Sequence, residues 1–144
     1  MNKVFKTLPI HHPLKKWATS WQLWLNSIKP NFEKISNISR KYNAIGYHIF
    51  TLDTIGKSVA NCRNLAPLYG INEESATGTA NGALASYLFK YNKISNNIKK
   101  LSFEQGYSMN MPSEIIVSLN IKDNEIDQVK VGGNALNLVE MKIF

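Results

Sequence analysis

Ile-Asn-Glu-Glu-Ser-Ala-Thr-Gly-Thr-Ala-Asn-Gly-Ala-Leu-Ala-Ser-Tyr-Leu-Phe-Lys-Tyr, residues 71–91, runs from small polar residues into an apolar segment. Ala83, Leu84, Tyr87, Leu88 and Tyr91 recur at helical spacing, which predicts a buried helix over residues 77–91 fed directly by a loop. Glycines and hydroxyl residues gather where that helix begins. Its first backbone N–H groups have no partner within the helix and point out of its end. They converge with the positive end of the helix dipole, so a carboxylate or phosphate is favoured there.

No lysine follows the glycine as in a Walker loop, and the three-glycine dinucleotide fingerprint is absent. A nucleotide-phosphate site is therefore not expected. Glu74 stands four residues before Gly78, within reach of the carbon next to a carboxylate bound at the helix end. This suits general acid/base proton transfer. A purely structural reading also fits these residues: Thr77 or Thr79 caps the helix, and Glu74 adds favourable charge near its start.

Upstream, residues 44–52 are rich in β-branched and aromatic residues, a second extended run follows over residues 58–65, and the two could pair through a turn around Gly56. His48 falls in the first of these runs and reads as a strand histidine. His11 and His12 precede Pro13 and read as loop residues. Downstream, residues 114–121 and 126–131 flank Lys122-Asp-Asn-Glu, which carries hairpin-turn residues, so an antiparallel region is expected. Helix, strands, helix, strands is an α+β order, with the last helix enclosed by sheet.

At the N-terminal end, Leu14, Trp17, Trp21, Trp24, Leu25 and Ile28 are spaced by three and four, predicting an amphipathic helix. A second helix is expected after Pro30, with Phe32, Ile35 and Ile38 on one side and Lys34 and Lys41 outside. The tryptophan stripe reads as a packing surface.

With 144 residues, 44% of them hydrophobic, the chain can build one compact core. Cys62 is the single cysteine, so no intramolecular disulfide forms and a reducing, cytoplasmic setting is expected. No Cys/His grouping has zinc spacing, and no metal is expected. No apolar stretch approaches the roughly 20 residues that span a bilayer, so no membrane association is expected. The net charge of +7 attracts polyanions in general without specifying nucleic acid.

Residues 62–85, Cys-Arg-Asn-Leu-Ala-Pro-Leu-Tyr-Gly-Ile-Asn-Glu-Glu-Ser-Ala-Thr-Gly-Thr-Ala-Asn-Gly-Ala-Leu-Ala, resemble the signature of the PhzF family, phenazine-biosynthesis-like isomerases related to diaminopimelate epimerase. The resemblance continues through Phe103-Glu-Gln-Gly-Tyr-Ser-Met and Pro112-Ser-Glu-Ile to Val129-Lys-Val-Gly-Gly-Asn-Ala. It extends from about Asn26 to about Leu138, which makes residues 26–144 the C-terminal lobe only and leaves residues 1–25 as a divergent segment, expected to be an amphipathic helix. The resemblance implies a lobe whose mostly antiparallel sheet wraps around a central helix, with substrate held between two lobes. Glu74 then falls on the family's acidic residue, and Gly78 and Thr79 on the positions that hold the substrate carboxylate. Three departures stand out: Glu74 replaces an aspartate, Ser75 a proline, and Met111 an arginine common in relatives.

The same resemblance implies a cofactor-independent proton shift on a small carboxylate substrate. Such enzymes take their principal general acid/base glutamate and a Gly-His substrate-binding step from the first lobe, and neither pattern occurs in these residues. The expected partners are therefore a first-lobe chain or a second copy in a homodimer. Two non-enzymatic readings stay open: a carboxylate-binding module without turnover, and a structural oligomer built on this fold.

Overall fold

The structure, a computed structural model, describes residues 6–9 as backbone, and residues 20–54, 56–95 and 100–134 in full. Its elements are β1 (Lys6–Pro9), α1 (Trp21–Ser27), α2 (Phe32–Lys41), β2 (Tyr47–Thr51), β3 (Ala60–Ala66), β4 (Ile71–Glu74), α3 (Gly78–Lys90), β5 (Lys100–Gln105), β6 (Ser113–Lys122) and β7 (Glu125–Gly132). The sheet runs β1-β2-β3-β5-β6-β7, and β4 adds to β3 off this path. It curls into a half-barrel around α3, which is the expected α+β lobe.

Local sequence explains most boundaries. Ser20 caps α1 by accepting from the Leu23 N–H at 3.1 Å, and Asn31 caps α2 by accepting from Lys34 at 2.9 Å. Glu33 in the first turn of α2 and Arg40 and Lys41 in its last complement the helix dipole. Between β6 and β7, Asp123 (φ 51°) and Asn124 (φ 62°) are both left-handed, the backbone of a two-residue type I′ hairpin turn.

The core lies between α3 and the concave face of the sheet. Leu84, Ala85, Leu88 and Phe89 of α3 pack on Phe50, Ala60, Cys62, Leu101, Phe103, Ile115, Val117 and Leu119. Strand alternation supplies that face: Ile115, Val117 and Leu119 of β6 are buried while Glu114 and Asn120 are exposed. Every residue of β3 is buried, because α3 covers one of its faces and α1 packs against the sheet at β2 and β3.

Three expectations are corrected. The N-terminal helix begins only at Trp21, and Lys6–Pro9 is a strand paired in parallel with β2. Residues 1–25 are thus not one helix; Leu14, Trp17, His11 and His12 lie outside the described residues. Ile38 is 46% exposed, and Ser39 is the buried residue of α2. The chain before α3 is not all loop: residues 71–74 form β4. β3 is shared end to end, its first half beside β5 and its second beside β4. No helix among the described residues is long and apolar enough to cross a membrane.

Arg63 of β3 is 3% exposed. Its Nε and one Nη donate to the two carboxylate oxygens of Glu73, each at 2.8 Å. The other Nη donates to the Leu25 and Ile28 carbonyls at 2.9 and 2.8 Å, closing the C-terminal end of α1. Arg63→Met leaves Glu73 without its cation and the α1 carbonyls without donors. Urea unfolding is expected to show a loss of about 3 kcal/mol, as for breaking one partner out of a buried pair.

Candidate functional site

The concave face is graded along the strands. His48 of β2 stands opposite Asn64 of β3, and Asn64 opposite Glu74 of β4, so the three form one cross-strand row. The next row, Phe50, Cys62 and Gln105, begins the apolar core. Polar side chains therefore collect at the end of the face where α3 starts, and His48, Asn64, Asn81 and Gln105 are all at most 2% exposed.

Glu74 is the last residue of β4 and is half-buried. Its backbone carbonyl accepts from Gln105 Nε2 at 2.7 Å, and its Oε2 accepts from the Thr77 hydroxyl. Thr77 occupies the N-cap position of α3, yet its side chain makes no cap bond. The capping alternative fails for Thr77 because its hydroxyl oxygen accepts from Gln105 Nε2 at 3.0 Å and from no helix N–H group. Among the described residues no side chain caps the helix, so none of their side-chain acceptors occupies its first N–H groups.

Gly78 and Thr79 are the first two helical residues. Thr79 is exposed and Gly78 half-buried. A Cβ on Gly78 would sit 3.3 Å from Val131 Cγ1, and one on Gly82 3.1 Å from Val131 Cγ2. Glycine at these two positions lets β7 lie close against the first turns of α3. Three residues separated by only a few positions, Glu74, Gly78 and Thr79, are thus brought to one end of a buried helix.

Sequence reasoning missed two contributors. Asn81 donates to the Thr77 carbonyl at 2.9 Å and to Gln105 Oε1 at 2.8 Å. Gly106, with φ +89°, allows the chain after Gln105 to pass the loops: an added Cβ would lie 2.1 Å from the Met111 carbonyl oxygen and 3.0 Å from that of Ser75. A polar residue inside an apolar helix was the available signal for Asn81. Met111 itself is exposed.

Ionisation separates the nearby groups. Burial tends to raise the Glu73 carboxyl, but hydrogen bonds from Arg63 and Ser108 and the charge of Arg63 hold it below its usual value. Burial, and then the charge of Glu104, push the Cys62 thiol up, so it is no nucleophile. Burial lowers His48 to about 4, against the opposing hydrogen bond with Asn64, and His48 is neutral at pH 7. Among the described residues no group of three or more His, Cys, Asp or Glu is placed to hold a metal ion.

The family model described as phenazine biosynthesis-like protein matches residues 14–141. An uncharacterized isomerase of Clostridium acetobutylicum is 33% identical over 116 residues, covering 78% of this chain and 38% of that protein. One from Deinococcus radiodurans is 28% identical over 140 residues, covering 88% of this chain and 44% of the relative. The crystal structure of a Bacillus anthracis phenazine biosynthesis protein of the PhzF family superposes with a TM-score of 0.64 at 21% identity, covering 88% of this chain and 41% of that one. At that identity the likeness is one of fold. The chain spans about two fifths of the length of these relatives.

His48 carries a testable consequence for stability. Its folded value of about 4 lies below the ordinary 6.5, so between these limits the unfolded chain binds a proton that the native chain does not. Stability from this group is complete above pH 6.5 and is lost as pH falls toward 4. The loss amounts to ~3 kcal/mol by linkage. Urea unfolding at pH 7.5 and 4.5 should show that His48→Gln has correspondingly less acid sensitivity than the parent chain.

Proposed function

The chain belongs to the phenazine biosynthesis-like (PhzF) family, and from that premise we propose that it supplies the carboxylate-binding lobe of a cofactor-independent isomerase. The carrying observation is the Glu74 carboxylate held beside the uncapped start of α3. A small substrate would place its carboxylate on the Gly78 and Thr79 N–H groups, where unpaired donors and the helix dipole favour an anion. Glu74 would then take a proton from the neighbouring carbon or return one to it.

A proton shift needs a second acid/base group on the other side of the substrate. These residues contain no first-lobe glutamate or Gly-His step of the family type. On this reading the second group comes from first-lobe sequence, supplied by another polypeptide or by a longer form of the protein. The Clostridium acetobutylicum and Deinococcus radiodurans relatives described as isomerases, of which this chain covers 38% and 44%, support that division of labour.

A binding module without turnover is the second reading. What favours it is that the carboxylate site is contained in this chain while the paired acid/base group is not.

Native mass spectrometry of gently purified material tests the arrangement first: a complex with a polypeptide carrying the first-lobe motifs is expected. In heavy water, that complex should exchange the proton beside the carboxylate of its substrate, screened from small carboxylic acids. Glu74→Gln should slow exchange by about 10²-fold or more, the usual contribution of a general acid/base. Tight carboxylate binding with no exchange, in the complex as well as in the lone chain, identifies the module instead.

A further inference from the structure

The hydrogen bonds around Glu74 have only one consistent direction. The Thr77 carbonyl can only accept, so the Asn81 atom 2.9 Å from it is the amide nitrogen. That nitrogen also donates to Gln105 at 2.8 Å, which requires Gln105 to present its oxygen there. The orientation agrees at the other end, where Gln105 Nε2 donates to the Glu74 carbonyl at 2.7 Å and to Thr77 Oγ1 at 3.0 Å. With its oxygen accepting from Gln105, Thr77 has a single hydrogen left, and that hydrogen points to Glu74 Oε2.

We infer that Gln105, oriented by Asn81, is a positioning residue that compels Thr77 to donate to Glu74 Oε2 and leaves Oε1 as the oxygen that carries the exchanged proton. A carboxyl proton on Oε2 would face the Thr77 hydrogen, whereas Oε1 carries it without disturbing the chain of donors. On the Glu74 carboxylate the residue acts through Thr77, while its second bond holds the Glu74 backbone carbonyl. Burial strengthens the arrangement: Gln105 and Asn81 are fully buried, so an amide turned the wrong way would leave donors facing donors in a site shielded from solvent.

Its catalytic meaning rests on the reading of Glu74 as the acid/base group, but its test does not. Carbon-13 NMR of the full chain, labelled at glutamate side-chain carboxyls and without added ligand, gives one signal for Glu74, assigned with Glu74→Gln. At constant pH, Thr77→Val should shift that signal by removing the hydroxyl donor. Gln105→Met should shift it in the same direction, because the Thr77 hydrogen is then free to turn away.

In the double variant the shift should fall short of the sum of the two single shifts, since the part that Gln105 exerts through the hydroxyl is already lost in Thr77→Val. An unmoved signal in Gln105→Met, or shifts that add in the double variant, overturns the inference and leaves Gln105 a packing residue. If Gln105→Met does not fold, Gln105→Asn replaces it in both backgrounds: it keeps a buried amide but is too short to reach Thr77, and the same two outcomes decide. Because no substrate is present, this experiment can fail while proton exchange by Glu74 stands, and the reverse.

Discussion

The buried guanidinium of Arg63 is the constraint on which the arrangement depends. A cation with almost no exposure needs its donors met, and here a bidentate carboxylate and two helix-end carbonyls meet four of them. The carboxylate comes from β4 and the carbonyls from α1 and the residue after it. One side chain of β3 thereby joins the N-terminal helix to the short strand that leads into the central helix. Ser108, in the turn after β5, donates to the same Glu73 and brings a third segment to the pair.

The pair also separates two adjacent glutamates. Successive side chains of a strand point to opposite faces, so fixing Glu73 toward Arg63 and α1 sends Glu74 toward α3. Glu73 is held ionised by its partners and is spent on structure. Glu74 instead meets Thr77 and the helix start, where a ligand could reach it. Two residues of the same type, side by side in sequence, are given different work by the pleat and by one ion pair.

The central helix is placed by an analogous division along its length. Its far half is anchored by Leu84, Leu88 and Phe89 in the apolar core, and its start is held by amides. Asn81 is the hinge between these regimes, reaching back to the Thr77 carbonyl and across to Gln105. Gly106 permits the strand carrying Gln105 to end against the Ser75 and Met111 carbonyls, which no side chain would allow. On the open side, Val131 of β7 rests against Gly78 and Gly82, so Gly78, which invited a reading as a ligand contact, also serves strand packing.

Much of this was legible beforehand. The spacing of Leu84 and Leu88 announced the buried helix, the extended runs announced β2, β3 and the β6–β7 hairpin, and the residues around Glu74 and Gly78 marked the helix start and its family. Local patterns of that kind depend on periodicity and turn chemistry, which are properties of neighbouring residues. The exposure of Ile38, the existence of β4 and the failure of Thr77 to cap α3 were not legible, because each depends on what lies opposite. The sequence by itself determined the α+β lobe and the place of its polar helix start. Only the tertiary structure decided that Gln105, thirty-one residues from Glu74, orients it, since the direction of a buried hydrogen bond is set by which donors and acceptors the folded strands bring together.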